Sequence, residues 1–112
     1  MSLTGQLFSS YFPIYKNMNH YLTLLRFTEQ GARNLAKSTT RAAAFREAAT
    51  KAGARVEAQY WTTGAYDGVI ILSAEDETKA LKCLAALAAA GDVRTETLKA
   101  FDASEFKVIA AK

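Results

Sequence analysis

The sequence is short of the residues that build the commonest sites. It holds one cysteine, Cys83, and one histidine, His20, in 112 residues. A single cysteine excludes an intramolecular disulfide and fits a reducing compartment. One Cys and one His together cannot supply a structural zinc site. No apolar run approaches the roughly 18 residues of a membrane span. The opening residues lack the charged start and continuous apolar stretch of a secretion signal, so the cytoplasm is the expected location and no membrane partner is expected. Charge of one sign is scarce too. The net charge is +3, from 14 basic and 11 acidic residues spread along the chain. Nucleic-acid binders gather Lys and Arg on one face or in one run, and no such run occurs. There is no Ser-His-Asp order, nucleotide loop or metal-ligand spacing, so no metal and no cofactor is expected.

Half of the residues are hydrophobic, enough for the core of one domain. Residues 1–19 stand apart: Phe8, Tyr11, Phe12 and Tyr15 surround the only proline, Pro13, with neither helical nor strand spacing. They read as a poorly ordered leader or a docking arm. The domain is expected over residues 20–106 and a tail over 107–112.

HYLTLLRF, His20 to Phe27, reads as a strand. Gly31 reads as a break, and Ser38, Thr39 and Thr40 as a cap for a helix from Arg41 to Gly53. Phe45, Ala48, Ala49 and Ala52 form its apolar stripe. In Ala54–Trp61, Val56, Ala58 and Tyr60 alternate with Arg55, Glu57, Gln59 and Trp61, the pattern of a half-buried strand. A loop containing Gly64 leads into the paired strand YDGVIILS. The next helix begins among Glu75, Asp76 and Glu77, where the helix dipole favours acids. It buries Leu81, Leu84, Leu87 and Ala88 and stops at Gly91. Asp92–Phe101 is a last strand, followed by a capped turn over Asp102–Phe106.

The order βαββαβ predicts an α+β, ferredoxin-like fold: a four-stranded antiparallel sheet with two helices on one face. Alanine-rich helices would approach that sheet closely. Two helices leave the other face bare. Alternation places Leu22, Leu24, Arg26, Glu57, Gln59, Trp61, Asp67, Val69, Ile71, Arg94, Glu96 and Leu98 there. That surface is too apolar for full exposure and too charged for a dry core, so a homodimer, or a higher homo-oligomer, is the expected solution.

Three stretches, FTEQGARN (Phe27–Asn34), YWTTGAYDGV (Tyr60–Val69) and GDVRTETLKAF (Gly91–Phe101), resemble the signature segments of the GYD-domain family. The resemblance spans about residues 20–106. The family's Gly-Tyr-Asp triplet is Ala65-Tyr66-Asp67 here, so its first position departs. The resemblance implies a dimeric α+β barrel. It supplies no reaction and no catalytic residue.

Asp67 stands at the mouth of an apolar strand, where a carboxylate must reach water, find partners or do chemistry. It reads as a general base or ligand anchor, or as a cap accepting backbone N–H groups. Gly68 reads as permitting close helix packing over the strand. Trp61 and Tyr66 could wall an apolar pocket or pair across strands. Arg26 and Arg94 could hold a carboxylate, or pair with Glu57 or Glu96 inside the dimer. His20 is a weaker acid–base candidate at a strand end, and Cys83 reads as a buried filler. These readings converge on a homodimer binding a small organic molecule in a cavity on the non-helical sheet face, with Trp61, Tyr66, Asp67, Arg26 and Arg94 nearby. Two alternatives stand beside it: a cofactor-independent oxygenase or isomerase with Asp67 or His20 as base, and a structural oligomerisation module.

Overall fold

The computed structural model describes residues 18–112. The leader expected over residues 1–19 lies outside them, except for Met18 and Asn19. Four strands form one antiparallel sheet in the order β2-β3-β1-β4. They are β1 (Asn19–Phe27), β2 (Ala54–Trp61), β3 (Gly68–Ala74) and β4 (Val93–Ala100). The helices are α1 (Glu29–Arg33), α2 (Ser38–Lys51), α3 (Glu77–Ala89) and α4 (Ala103–Ala110). This is the expected ferredoxin-like order. α2 packs on β2, and α3 on β3 and β4.

Alternation sorts the strands into two faces. Tyr21, Thr23 and Leu25 of β1 and Ile70, Leu72 and Ala74 of β3 are buried under the helices. They meet Ala49 of α2 and Ala80, Cys83 and Leu84 of α3. Leu22 and Leu24 pair with Ile71 and Val69 on the bare face, and with Leu98 and Glu96 of β4. The bare face of β1, β3 and β4 is therefore as read from the sequence.

β2 differs. Val56 pairs with Leu72 but Ala58 pairs with Ile71, so an extra residue is accommodated at Glu57. Such a bulge puts two consecutive residues on one side and inverts the alternation beyond it. Gln59 and Trp61, opposite Ile70 and Gly68, thus join the helical face, and Ala58 and Tyr60 join the bare face. The expected placement of Trp61 and Gln59 on the bare face is reversed for this reason.

Smaller differences have local causes. Gly31 does not break the chain but sits inside α1, buried, because a Cβ there would overlap the Asp92 carbonyl oxygen. Ser38, Thr39 and Thr40 lie within α2, whose N-cap, Lys37, makes no side-chain cap bond. Of the stripe expected on α2, only Ala49 is fully buried and Phe45 partly so. On α3 the buried stripe is Ala80, Cys83 and Leu84, with Leu87 half-buried, while Leu81 and Ala88 face out. Asp76 caps that helix by accepting the Lys79 N–H. Gly53, at φ +90°, turns the chain from α2 into β2, a backbone region that L side chains disfavour. The turn expected at Asp102–Phe106 is a full helix, opened by a reciprocal Asp102–Glu105 capping box.

Candidate functional site

A cavity of about 360 Å³ opens between the sheet and the two long helices, on the helical face, whereas the cavity expected from the sequence lies on the non-helical face. Leu25, Ile70 and Val93 form its floor, and Phe45 and Leu87 stand over them. Ala42, Ala48, Ala86 and Ala90 line the helix side. The helices close on the sheet at one end, around Ala49, Ala80 and Leu84. At the other end the alanine side chains are too short to fill the gap. Close approach, expected of alanine-rich helices, holds for half of the sheet only.

The mouth is polar and ordered. The Trp61 indole Nε1 donates to Ser38 Oγ at 2.9 Å, tying the end of β2 to the first turn of α2. Arg41 on α2 faces Asp92, Nε to Oδ2 3.5 Å, and its Nη1 donates to the Asn34 carbonyl at 2.8 Å. Asp92 Oδ1 also accepts from Gln30 Nε2 at 2.9 Å. Gln59 lines the wall.

Asp67, expected on the bare face beside Val69, lies at this mouth instead, because it precedes β3 and its carboxylate turns to the end of β1. Its Oδ2 accepts the Phe27 N–H at 2.9 Å. Its own N–H donates to the Leu25 carbonyl at 2.8 Å and its carbonyl accepts the Thr62 N–H at 2.9 Å. One residue therefore staples the β2–β3 loop to the end of β1. That geometry matches the capping alternative. Gly68 follows because the Tyr60 carbonyl oxygen would stand 3.0 Å from a Cβ. The close neighbour is the adjacent strand, not a helix.

The other candidates lie on the opposite face. The Arg26 guanidinium stacks over the Tyr66 ring at 4.6 Å and its Nε donates to the Ala65 carbonyl at 3.0 Å. The Tyr66 hydroxyl donates to Glu96 Oε1 at 3.0 Å. Arg26 and Arg94 are directly opposite on β1 and β4, and neither has a carboxylate partner among the described residues. Glu57 accepts from Ser73 Oγ at 2.7 Å and faces Arg55. The five candidates thus divide: Trp61 and Asp67 at the cavity, Tyr66, Arg26 and Arg94 on the bare face. His20 is the second residue of β1, and the seven residues from there to Phe27 place it about 23 Å from the cavity mouth. Cys83 is buried, and burial pushes its thiol up, away from the reactive thiolate. Among the described residues no cluster of three or more His, Cys, Asp or Glu is placed to hold a metal ion. No helix among them is long and apolar enough to cross a membrane.

The GYD domain family model matches residues 21–110. This chain belongs to the GYD family. A relative from Thermus thermophilus, described as a glutamine synthetase and cystathionine beta-lyase binding protein, is 34% identical over 89 residues. That alignment covers 79% of this chain and 94% of the relative. No solved structure matches the chain. The geometry gives the GYD triplet a physical meaning: its Asp staples three strand ends, and its Tyr joins Arg26 to Glu96. The positive φ of this loop, +105°, is at Gly64, one residue before Ala65.

Sequence reasoning missed Gln59, Ser38, Arg41 and Asp92 as site residues. Only the first is explained by face assignment, through the bulge. The other three come from helix and loop positions whose convergence no periodicity records.

Proposed function

We propose that this GYD-family protein is a binding module. Two copies join through their bare sheet faces, and each copy holds a small organic molecule in the cavity between its sheet and its helices.

The observation that carries the ligand reading is the unfilled end of the sheet–helix layer. At about 360 Å³ the space falls in the range of small-molecule sites, about 300–1,000 Å³. A sequence selected only for a core would fill it, because unoccupied apolar volume costs stability. Catalysis is less well supported. Asp67 is committed to a backbone N–H, and His20 lies at the far end of β1.

The bare face supports the homodimer. Leu22, Leu24, Val69 and Ile71 are only part-buried there and Leu98 is exposed. Arg26 beside Arg94 is a like-charged cross-strand pair, unfavourable alone. A two-fold partner offers the same face, whose Glu57 and Glu96 would answer those arginines.

The test is a thermal-shift screen of small organic compounds on the full chain, repeated on Ala90→Phe, which fills the cavity. A compound that raises Tm in the parent and not in the variant supports the reading. A screen without any such compound, or shifts that survive in Ala90→Phe, defeats it.

One observation favours a second reading, a module that docks on other proteins. α4 has no buried residue, and Phe106, Val108 and Ile109 are exposed on it. The Thermus thermophilus relative is described as binding two enzymes. Sedimentation of this protein with purified glutamine synthetase and cystathionine beta-lyase decides between them: a stable complex supports docking, and independent sedimentation removes it.

A further inference from the structure

The one cation that lines the cavity among the described residues, Arg41, is matched before any ligand arrives. Arg41 faces Asp92 and donates to backbone carbonyls of Asn34 and Gly31. Asp92 also receives Gln30. Asp67 receives the Phe27 N–H, and the Trp61 indole N–H is spent on Ser38. An anionic ligand would have to displace Asp92 from Arg41. An anion entering this apolar space would lose its hydration and gain no free cation.

Gln59 is different. The bulge at Glu57 turns it onto the cavity wall, opposite Ile70. Its carboxamide offers two donors and an acceptor. No described residue bonds to it, although its neighbour Trp61 is tied down. Phe27, Phe45, Tyr60 and Trp61 add aromatic surface to a chamber otherwise lined mostly by aliphatic residues, and such walls favour flat rings.

We infer that the cavity takes an uncharged, flat aromatic molecule with an amide- or lactam-like edge, its ring on the apolar floor and its donor–acceptor edge read by Gln59. This rests on the small-molecule reading above and names the chemical class. The committed Arg41 excludes acids of the same shape, and Gln59 is left as the neutral polar group that a ligand edge satisfies.

Two probes of nearly equal shape and different charge test it: 2-naphthamide and 2-naphthoate. Each is titrated into the full chain by calorimetry and by following the indole N–H resonance of Trp61, the only tryptophan. The expected result is that the amide binds at least about tenfold tighter than the acid and shifts the Trp61 resonance. In Gln59→Leu, checked for an unchanged melting temperature, the preference is expected to drop below about threefold. Equal or tighter binding of the acid overturns the uncharged class while leaving the small-molecule reading standing. Amide binding that leaves the Trp61 resonance in place, or that ignores Gln59→Leu, overturns the assigned site. If neither probe binds while the broader screen yields a cavity ligand, the ligand class is wrong and the reading survives. If the screen is also silent, both fall.

Discussion

Tyr21 is 2% exposed, and its hydroxyl finds no hydrogen-bond partner among the described residues. A buried hydroxyl left unpaired costs about 1–3 kcal/mol. Burial first, then the Glu77 and Asp76 carboxylates, push the phenol above its ordinary 10.0. Asn19 pulls the other way without closing a hydrogen bond. A raised pKa means that the folded chain keeps a proton that the unfolded chain releases. This contribution to stability is complete below pH 10.0 and is lost as pH rises through the folded-state value. Tyr21→Phe is therefore expected to match or exceed the parent's stability at neutral pH and to lose less of it in alkali, as read by urea unfolding at both pH values. Gly31 gives the opposite sign from a similar one-group change. Helix propensity alone favours alanine over glycine by about 1 kcal/mol. The Asp92 carbonyl leaves no room for the methyl, however, and overpacking costs about 1–3 kcal/mol. Gly31→Ala is expected to lower stability by about 2 kcal/mol. Because Asp92 also faces Arg41 at the cavity mouth, the same variant should weaken ligand binding. A stabilised variant would show that propensity wins.

At the scale of elements, the β2 bulge decides which side chains the cavity receives. Ala54 and Val56 are buried under the helices as simple alternation requires, and the inversion begins at Glu57. Glu57 stays on the bare side, where Ser73 donates to it. Deleting Glu57 should remove the bulge and leave a regular ladder in which Gln59 and Trp61 still stand opposite Ile70 and Gly68, on the helical face. The expected outcome is a retained Trp61–Ser38 hydrogen bond, seen as an unchanged indole N–H resonance. A shifted resonance would mean that the bulge itself, rather than the pairing with β3, places Trp61. α4 is the contrasting element. Its capping box is complete, yet an eight-residue helix without packing is marginal in water. Its exposed Phe106 and Ile109 are the feature on which the docking reading rests.

For the whole molecule, the expectation is association. Helices cover one sheet face, and the aliphatic residues of the other are left part-exposed around two arginines that have no carboxylate partner among the described residues. Leu24→Glu places a carboxylate in the centre of that face without touching the helix-side core. Sedimentation equilibrium should find dimers for the parent and monomers for this variant, with the secondary structure unchanged by circular dichroism. A parent that sediments as a monomer would remove the dimer and leave the cavity reading untouched, since the cavity is lined within one chain. Much of this was legible in the sequence. Apolar periodicity and turn residues gave the element order, the burial of Cys83 and the bare face of β1, β3 and β4, because those properties are local or repeat along the chain. The Asp67 cap was legible as one of two options, since a carboxylate before an apolar strand needs partners. The staple to Phe27, the Asp92 carbonyl against Gly31, the bulge at Glu57 and the meeting of Ser38, Arg41 and Trp61 around one mouth were not. Each depends on which distant backbone atom lies beside which residue, and in β2 a single extra residue reverses every side chain after it. Sequence determined the architecture through repeating local preferences; only tertiary contacts decided where the chain is stapled, where it is bulged and where it stays hollow.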